Sequence, residues 1–197
     1  MTLLSPSSAA IAQLRLALAR REHTELPGNT RASVALILRL GETGLELLVI
    51  RRASRDGDPW SGHMGLPGGR REPGDLDNLQ TAVRETEEEL GVNLWSFAEL
   101  LGSLSDNQAS ANGQVIDLVI SAFVFLVGAS PSLAPNHEVA EVLWAPISAL
   151  ADGSSTIAHQ VILEGQQRVL PGWSVEGRVI WGLTYRIVSN LLRQLRE

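Results

Sequence analysis

Apolar residues recur along the chain at two spacings, and these spacings predict which segments form helices and which form strands. Residues 5–21 open with serine and proline and then repeat apolar positions in a way that predicts an amphipathic helix. Residues 24–30 contain proline, glycine and asparagine and are typical of a loop. Two apolar runs follow at residues 32–40 and 45–52, and the short glycine-bounded connection between them predicts a β-hairpin.

Beyond this hairpin, a long polar loop at residues 53–65 precedes further helix and strand patterns. A loop of that length inside a compact domain is usually functional or disordered. The strongest helix pattern covers residues 75–91, and a second amphipathic helix is predicted at residues 176–195. Between them the sequence predicts three strands, a short helix and an ambiguous segment that suits a small hairpin: residues 97–103, 115–127, 139–144, 147–151 and 154–173. These patterns predict an α/β (α+β) fold in one domain over residues 1–197, with helices packed on the faces of one mixed sheet.

Composition is ordinary for a soluble globular protein, and it excludes several kinds of site. The chain has 197 residues, of which 44% are hydrophobic and 19% charged, enough to bury a core. The net charge of −6 argues against a nucleic-acid-binding protein, because such binding neutralises phosphates with cations. The absence of cysteine excludes disulfides, thiolate zinc sites and cysteine nucleophiles. No apolar run is long enough to span a bilayer and no signal peptide is recognisable, so we expect a cytoplasmic protein without a membrane partner.

The helix predicted at residues 75–91 carries a cluster of carboxylates. At about 100° per residue, Glu85, Glu88 and Glu89 fall on one face, whereas the apolar residues gather on another. Like charges at these spacings destabilise a helix by a few tenths of a kcal/mol per pair, and the helix dipole disfavours negative charge near the C-terminal end. A cation such as Mg²⁺ offsets both penalties, because it prefers oxygen ligands and commonly bridges carboxylates to substrate phosphates.

A solvated acidic face is the other interpretation of this charge pattern, and such faces are common on helices. The residues just before the helix favour the metal site. Gly68 and Gly69 end a strand-like segment, and glycine lets the backbone pass close to a ligand. Their carbonyl oxygens could complete a metal shell, and Arg84 could steady one carboxylate by a charge-assisted hydrogen bond. Together the glycine pair and the acidic cluster predict a site for Mg²⁺, with Mn²⁺ as an alternative.

The same residues resemble the sequence motif of the Nudix hydrolases, G-x5-E-x7-R-E-U-x-E-E-x-G-U, in which U is apolar. Counting from Gly69, five residues lead to Asp75, where the family usually has Glu, and eight rather than seven then lead to Arg84. The remainder matches through Val92, except that Thr86 replaces the first apolar residue. The motif therefore covers residues 69–92, and the wider resemblance covers roughly residues 32–194.

The resemblance implies an α/β/α sandwich around a mixed central sheet. It also implies that Glu85, Glu88 and Glu89 bind the metal and that Gly69 contributes a backbone carbonyl. Relatives of this family are often dimers, so a homodimer is one expectation, although no interface signal stands out in the sequence.

The one-residue insertion looks like the branch of the family that contains coenzyme A diphosphatases. Residues 136–139, Trp144 and residues 180–184 also look like that branch. The branch carries an upstream pattern, L-L-T-x-R-[SA]-x3-R-x3-G-x3-F-P-G-G, which this chain follows only in part. Asp58 occupies the place of the internal arginine, and Arg55 is its nearest substitute. Coenzyme A is thus the favoured substrate rather than an established one.

Candidate residues for catalysis and for substrate binding follow from the same comparison. A general base is expected among the helix glutamates, Glu88 and Glu89 above all, with Arg84 steadying them. Glu138 is a second candidate, because it lies at a loop-to-strand junction where some relatives place a catalytic acid.

The polar loop supplies the candidates for substrate binding. Arg52 and Arg55, like Arg51, could hold phosphates, although arginines at a strand end are more often solvated or paired. Trp60 and His63 could touch a nucleotide base, because loops carry binding residues, although Trp60 could also cover the edge of the core. Three further tryptophans are expected in the core: Trp144, Trp173 and Trp181.

Three functional hypotheses are open at this point. The first is a Mg²⁺-dependent enzyme that cuts the pyrophosphate bond of a nucleoside diphosphate linked to another moiety, with coenzyme A or a derivative preferred and ADP-ribose, NADH or nucleoside triphosphates as alternatives. The second is a non-catalytic nucleotide sensor on the same fold, in which the acidic helix is typically eroded. The third is a structural interaction domain, which gives no reason for the acidic cluster and the glycine pair to occur together.

Overall fold

The computed structural model describes residues 6–20, 24–111, 113–128 and 131–195. The helices in this part of the chain are α1 (Pro6–Arg20), α2 (Asn78–Leu90), α3 (Leu94–Phe97), α4 (Ile147–Ala151) and α5 (Gly182–Gln194). The strands are β1 (Arg31–Leu40), β2 (Leu45–Arg52), β3 (Met64–Gly65), β4 (Gly68–Arg70), β5 (Ala98–Ala111), β6 (Gln114–Val127), β7 (Val139–Pro146), β8 (Thr156–Leu163), β9 (Gln166–Val175) and β10 (Arg178–Trp181).

Strands β1 to β7 form one mixed sheet of seven strands, in which β1 pairs with β6 in parallel and the other pairs are antiparallel. The predicted hairpin of β1 and β2 is confirmed, but these strands pair only near their turn, where Leu38 to Leu40 face Leu45 to Leu47. Farther along, β4 pairs with β1 and β3 pairs with β2. The short strands therefore fill the opening between two diverging strands and bring the glycine pair into the sheet.

Both faces of this sheet are buried, as the alternation of residues in β1 requires. Ala35 and Ile37 point to one face, where they belong to a core cluster that includes Val83 and Leu90 of α2. Leu36 and Leu38 point to the other face, whose cluster includes buried residues of α1 and α5: Leu14, Leu18, Ile187, Val188, Leu191 and Leu192. The expected α/β/α layers around a mixed sheet are confirmed.

Helix α2 begins three residues later than predicted. Asp77 caps it by accepting a hydrogen bond from the backbone N–H of Gln80 at 2.7 Å, which satisfies a free donor of the first turn. Asp75 therefore lies before the helix, on the turn that leads into it. The predicted end is correct, because Gly91 adopts the left-handed conformation at φ 69° and its N–H bonds to the carbonyl of Glu87.

The predicted helix at residues 176–195 is wrong over its first six residues, which contain a turn and a strand. Glu176 and Gly177 have φ values of 50° and 75°, a pair that closes a two-residue hairpin between β9 and β10. Helix α5 begins only at Gly182. The suggested hairpin within residues 154–173 is confirmed: β8 and β9 pair around a similar turn at Glu164 and Gly165. Strands β8, β9 and β10 thus form a separate three-stranded sheet.

The remaining predicted elements agree with the structure apart from their limits. Helix α1 spans Pro6–Arg20, and residues 5 and 21 of the prediction lie outside the described residues. Residues 24–30 form the predicted loop, and the loop predicted at 53–65 ends in β3. Strand β5 extends eight residues beyond the predicted strand at 97–103. Within the described residues, no helix combines the length and the apolar character that crossing a bilayer requires.

Candidate functional site

A cavity of about 1140 Å³ is lined by both sheets, by the loop between β2 and β3 and by the start of α5. This volume is somewhat above the usual range for sites that bind small ligands and cofactors. The cavity brings together most of the residues singled out in the sequence: Gly69, Glu85, Glu89, Glu138, Arg52, Arg55, Trp60 and His63. Arg84 and Glu88 are not part of its lining.

The glycine pair lies directly against the acidic face of α2. The N–H of Gly68 donates to Oε2 of Glu89 at 2.9 Å. A Cβ placed on Gly69 would lie 2.5 Å from the carboxylate carbon and oxygens of Glu85, so only a residue without a side chain leaves that carboxylate in place. Gly68, Gly69, Glu85 and Glu89 are called the acidic wall of the cavity below.

Burial disfavours the charged form of both glutamates of the acidic wall. Glu89 is 2% exposed, and this burial raises its pKa to about 7 against the opposing effect of the hydrogen bond from Gly68. Burial also raises the pKa of Glu85, and nearby Arg84 partly offsets the rise. The negative charge of Glu138 adds to the rise at both glutamates. A bound cation would favour the charged form of both groups.

Arg84 holds the acidic face from outside the cavity. Its Nε and Nη2 donate to Oδ1 and Oδ2 of Asp75 at 2.9 and 3.0 Å, a two-pronged geometry that strengthens such pairs. Its Nη1 lies 3.1 Å from carboxylate oxygens of both Glu85 and Glu88. Nη2 also donates to the carbonyl of Arg70 at 3.0 Å. Arg84 is therefore a positioning residue rather than a group that faces a substrate.

Asp75 anchors this arrangement although it lies outside the helix. Its carboxylate also accepts hydrogen bonds from Oγ1 of Thr81 and from the N–H of Glu72, both at 2.9 Å. The Arg84 guanidinium and these donors hold the pKa of Asp75 well below its usual range. Asp75 is shorter than the Glu that the family usually has at this motif position, yet it holds Arg84 firmly.

The residues of the acidic wall fit a divalent cation. They offer two carboxylates and a backbone strand segment whose glycine lets the main chain lie close against Glu85, and oxygen is the donor that Mg²⁺ and Mn²⁺ prefer. Glu88 lies at the edge, with 55% of its side chain exposed. Among the described residues, no three acidic or histidine side chains converge as a metal-binding group. Metal binding by Glu85, Glu88, Glu89 and Gly69 stays a prediction.

Glu138 reaches the cavity because its segment is tied to the end of α2. The N–H of Asn136 donates to the carbonyl of Glu89 at 2.9 Å, and the N–H of Ala53 donates to the carbonyl of Glu138 at 2.8 Å. The side chain is 45% exposed and lies 3.7 Å from Nη1 of Arg55. Glu138 therefore adds a third carboxylate to the cavity, beside those of Glu85 and Glu89.

The two predicted phosphate-binding arginines differ in their surroundings. Arg52 donates from Nη2 to Oδ2 of Asp58 at 2.6 Å, while its buried Nε has no hydrogen-bond partner within the described structure. Burial alone would raise the pKa of Asp58, but hydrogen bonds from Arg52 and from the N–H of Trp60 outweigh it and leave the pKa lowered. Arg55 is 76% exposed at the cavity mouth. Arg51 pairs with Glu141 instead.

One of the aromatic predictions needs correction. Trp181 was expected in the core, yet it is only partly buried and lines the cavity, because it ends β10 at the first residue before α5. Trp144 is partly buried and packs against the core, with the guanidinium of Arg39 4.0 Å above its ring. Trp173 is buried at 3% exposure, as predicted. Trp60 lines the cavity and packs against the core as well.

Sequence reasoning missed His159, which lies on β8 and lines the cavity beside Trp181. The ring centroids of His159 and Trp181 are 5.1 Å apart, and those of His63 and Trp181 are 4.9 Å apart. We call His63, His159 and Trp181 the ring cluster. No local pattern marks a lone histidine in an ambiguous segment, so only the three-dimensional arrangement reveals it.

Comparison with known proteins places this arrangement in a family. The family model described as the NUDIX domain matches residues 29–164. An uncharacterized Nudix hydrolase, NudL of Yersinia pestis, is 32% identical over 151 residues, which cover 76% of this chain and 72% of that protein. An uncharacterized protein of Schizosaccharomyces pombe is 43% identical over 107 residues, 53% of this chain but only 32% of that relative's length.

Solved structures show the same fold. The NUDIX domain of NrtR from Shewanella oneidensis, crystallised with ADP ribose, matches with a TM-score of 0.52 and 17% sequence identity, over 90% of this chain and 89% of that one. The family model and the similarity to NudL each cover most of the chain. This chain therefore belongs to the Nudix family, and the enzyme class expected from its acidic helix, a Nudix hydrolase, is confirmed.

Proposed function

We propose that this protein hydrolyses a pyrophosphate bond in a nucleoside diphosphate linked to another moiety, with Mg²⁺ as cofactor and Mn²⁺ as an alternative. Coenzyme A or a derivative is the favoured substrate. The observation that carries the proposal is the meeting of the acidic wall, Glu138 and two arginines in one cavity large enough for such a substrate.

The chain's own residues supply the elements of this reaction. When bound at the acidic wall, a divalent cation would neutralise the diphosphate and activate water. Glu89 is a candidate to accept the proton of the attacking water, because its carboxylate lines the cavity at the acidic wall. Glu138 is the alternative base. The new bond joins the water oxygen to one phosphorus, the bond from that phosphorus to the bridging oxygen breaks, and two phosphate products leave.

Arginines near the cavity mouth support binding of the remaining phosphates. Arg52 has an unpartnered Nε in the described structure, and a phosphate oxygen is a strong acceptor for such a donor. Arg55 is exposed and linked only loosely to Glu138, at 3.7 Å. Arg55 is therefore free to turn toward an anionic ligand, whereas Arg52 would have to exchange Asp58 for it.

Coenzyme A is favoured by the resemblance of residues 136–139 and 180–184 to the diphosphatase branch. The structural neighbour that binds ADP ribose, NrtR, makes ADP-ribose the first alternative, followed by NADH and nucleoside triphosphates. A non-catalytic nucleotide sensor is disfavoured because Glu85, Glu88 and Glu89 are all present. The cytoplasmic location and the homodimer stay predictions.

A matched pair of variants on α2 tests the catalytic proposal. Glu89→Gln removes the buried carboxylate, whereas Glu87→Gln changes an exposed residue of the same helix that only contacts Asn93. We expect Glu89→Gln to lose at least about 100-fold in kcat with its melting temperature nearly unchanged, and Glu87→Gln to keep wild-type turnover. A fully active Glu89→Gln protein would refute the assignment.

A hydrolysis panel tests the substrate. The wild-type protein is incubated with Mg²⁺ or Mn²⁺ and with coenzyme A, ADP-ribose, NADH or triphosphates, and the products are identified by mass. The highest kcat/KM is expected for coenzyme A, with cleavage between its two linked phosphates. If only triphosphates turn over, coenzyme A is the wrong substrate; if nothing turns over while nucleotides bind, the sensor is favoured.

A further inference from the structure

The ring cluster brings together side chains from three distant parts of the chain. His63 precedes β3, His159 lies on β8 and Trp181 ends β10. The rings are tilted relative to Trp181, by 58° for His63 and 49° for His159. All three line the same cavity as the acidic wall. A planar group that enters this cavity therefore meets aromatic surface as well as carboxylates.

The contrast with Trp173 shows that the core does not need these rings. Trp173 is 3% exposed and packs against Tyr185 at a centroid distance of 4.2 Å, within the core cluster. Trp181 belongs to neither core cluster and stays partly exposed on the cavity side. The partly exposed faces of the ring cluster are thus available to a ligand.

We propose that the ring cluster binds the nucleobase of the substrate by stacking, beside the acidic wall, where a bound cation would hold the diphosphate. The proposal rests on the proposed function and assigns the base-binding part of the same cavity to His159 and Trp181, together with His63. Aromatic side chains bind bases through their π-faces, with little dependence on which base is presented.

The charge of the ring cluster suits this role. Burial lowers the pKa of His63, and the negative charge of Asp58 offsets only part of this shift. The lowered pKa favours the neutral form of the ring near pH 7. Apolar residues of the three-stranded sheet border the same side of the cavity, among them Val161 and Leu170. A surface of aromatic rings bordered by apolar side chains favours a flat base.

Binding of nucleoside monophosphates tests this proposal without any hydrolysis. Titration calorimetry of the metal-free wild-type protein is carried out with AMP, GMP, CMP and UMP, and with ribose 5-phosphate as a probe that lacks a base. We expect the nucleotides to bind more tightly than ribose 5-phosphate by about 10-fold or more. Equal binding of all five probes, or no nucleotide binding at millimolar concentration, overturns the proposal.

Variants locate the binding surface. His159→Ala and Trp181→Ala should each weaken AMP binding by about 5- to 10-fold and leave ribose 5-phosphate unchanged, whereas Trp181→Phe should retain most of the affinity. Trp95→Ala is the control, because Trp95 is 57% exposed on α3 and is not part of the cavity lining. Wild-type AMP affinity in both His159→Ala and Trp181→Ala would refute the assignment.

Two further readouts separate this proposal from the proposed function. With a substrate from the hydrolysis panel, Trp181→Ala and His159→Ala should change KM far more than kcat. If Trp181→Ala does not fold, His159→Ala and the loss of AMP-dependent fluorescence quenching in Trp181→Phe still decide the question. Glu89→Gln should bind AMP like the wild-type protein, so a failure of catalysis leaves the base-binding result intact.

Discussion

The acidic wall and the ring cluster line one cavity but differ in what holds them in place. In the acidic wall the N–H of Gly68 holds the buried carboxylate of Glu89 and Arg84 holds that of Glu85, over a glycine that leaves no space for a side chain. The ring cluster consists of partly exposed rings, in which both histidines contact Trp181. Substitutions in the first should therefore change turnover, and substitutions in the second should change affinity.

This difference has a physical origin. Carboxylates that act on a phosphate need a precise orientation, because a displacement of about 1 Å can lower the rate about 100-fold. Rings that stack on a base tolerate more variation in the ligand, because every base presents a π-face. The acidic wall accordingly has more hydrogen bonds and less freedom than the ring cluster.

The largest expected effect is on stability and comes from Asp75→Asn. Removing one partner of a buried ion pair costs about 3–5 kcal/mol, and we expect about 3 kcal/mol here because Arg84 keeps Glu85 and Glu88 as partners. The urea midpoint of the variant at pH 7 should fall accordingly. Asp77→Asn serves as control, since asparagine also caps helices; equal stability of Asp75→Asn and wild type would contradict the anchoring role.

The same pair predicts a pH dependence. Because the pKa of Asp75 is lowered in the folded state, its stabilising contribution is fully present above the unfolded pKa of about 3.9 and is lost as the pH falls below that value. The stability difference between wild type and Asp75→Asn should thus be constant above about pH 5 and shrink between about pH 4 and pH 2. Urea midpoints across this range measure it, and a difference independent of pH would be inconsistent with the lowered pKa.

Gly69→Ala tests the orientation of the acidic wall directly. The new Cβ would lie 2.5 Å from the Glu85 carboxylate, so the side chain must move, and we expect kcat to fall about 100-fold. The matched control is Gly74→Ala, whose Cβ meets nothing within 4 Å. Steady-state kinetics with saturating metal gives the answer; unchanged kcat in Gly69→Ala would show that Glu85 need not occupy this position.

A smaller effect is expected in the turn that presents Trp181. Gly177 has φ 75°, which an alanine adopts only with strain, so Gly177→Ala should lower the free energy of unfolding by about 1 kcal/mol. The variant should also weaken AMP binding more than it changes kcat, because the turn supports the ring cluster and not the acidic wall. Thermal unfolding and calorimetry measure the two effects, and a selective loss of kcat would reverse the comparison.

The smallest effect is expected at the boundary between the two regions. Asp58→Asn removes the charged partner of Arg52, and a partly exposed pair of this kind is worth about 1 kcal/mol or less. Inorganic pyrophosphate should then bind about 3-fold more tightly by calorimetry. Asp56→Asn, an exposed change of equal charge in the same loop, should have less effect; equal gains in both variants would indicate a general charge effect.

Part of this site and of the fold could be predicted from the sequence. The acidic wall was found from the sequence because Glu85, Glu88 and Glu89 lie within one helix turn and the glycine pair lies shortly before it. The strand patterns likewise predicted the sheet, since both faces of β1 and β2 must be buried. By contrast, the predicted helix at 176–195 began six residues early, because Val179 fits a helical repeat although the Glu176–Gly177 turn starts a strand.

The sequence by itself determined the layered fold, the acidic helix and its glycine stop, because periodicity, capping and like-charge spacing act between near neighbours. Only the tertiary structure decided that Asp75 binds Arg84 outside the helix, that Asp58 neutralises Arg52, and that His159 meets Trp181. These contacts join residues whose pairing depends on sheet register and on the path of the chain between elements. No local pattern encodes that path.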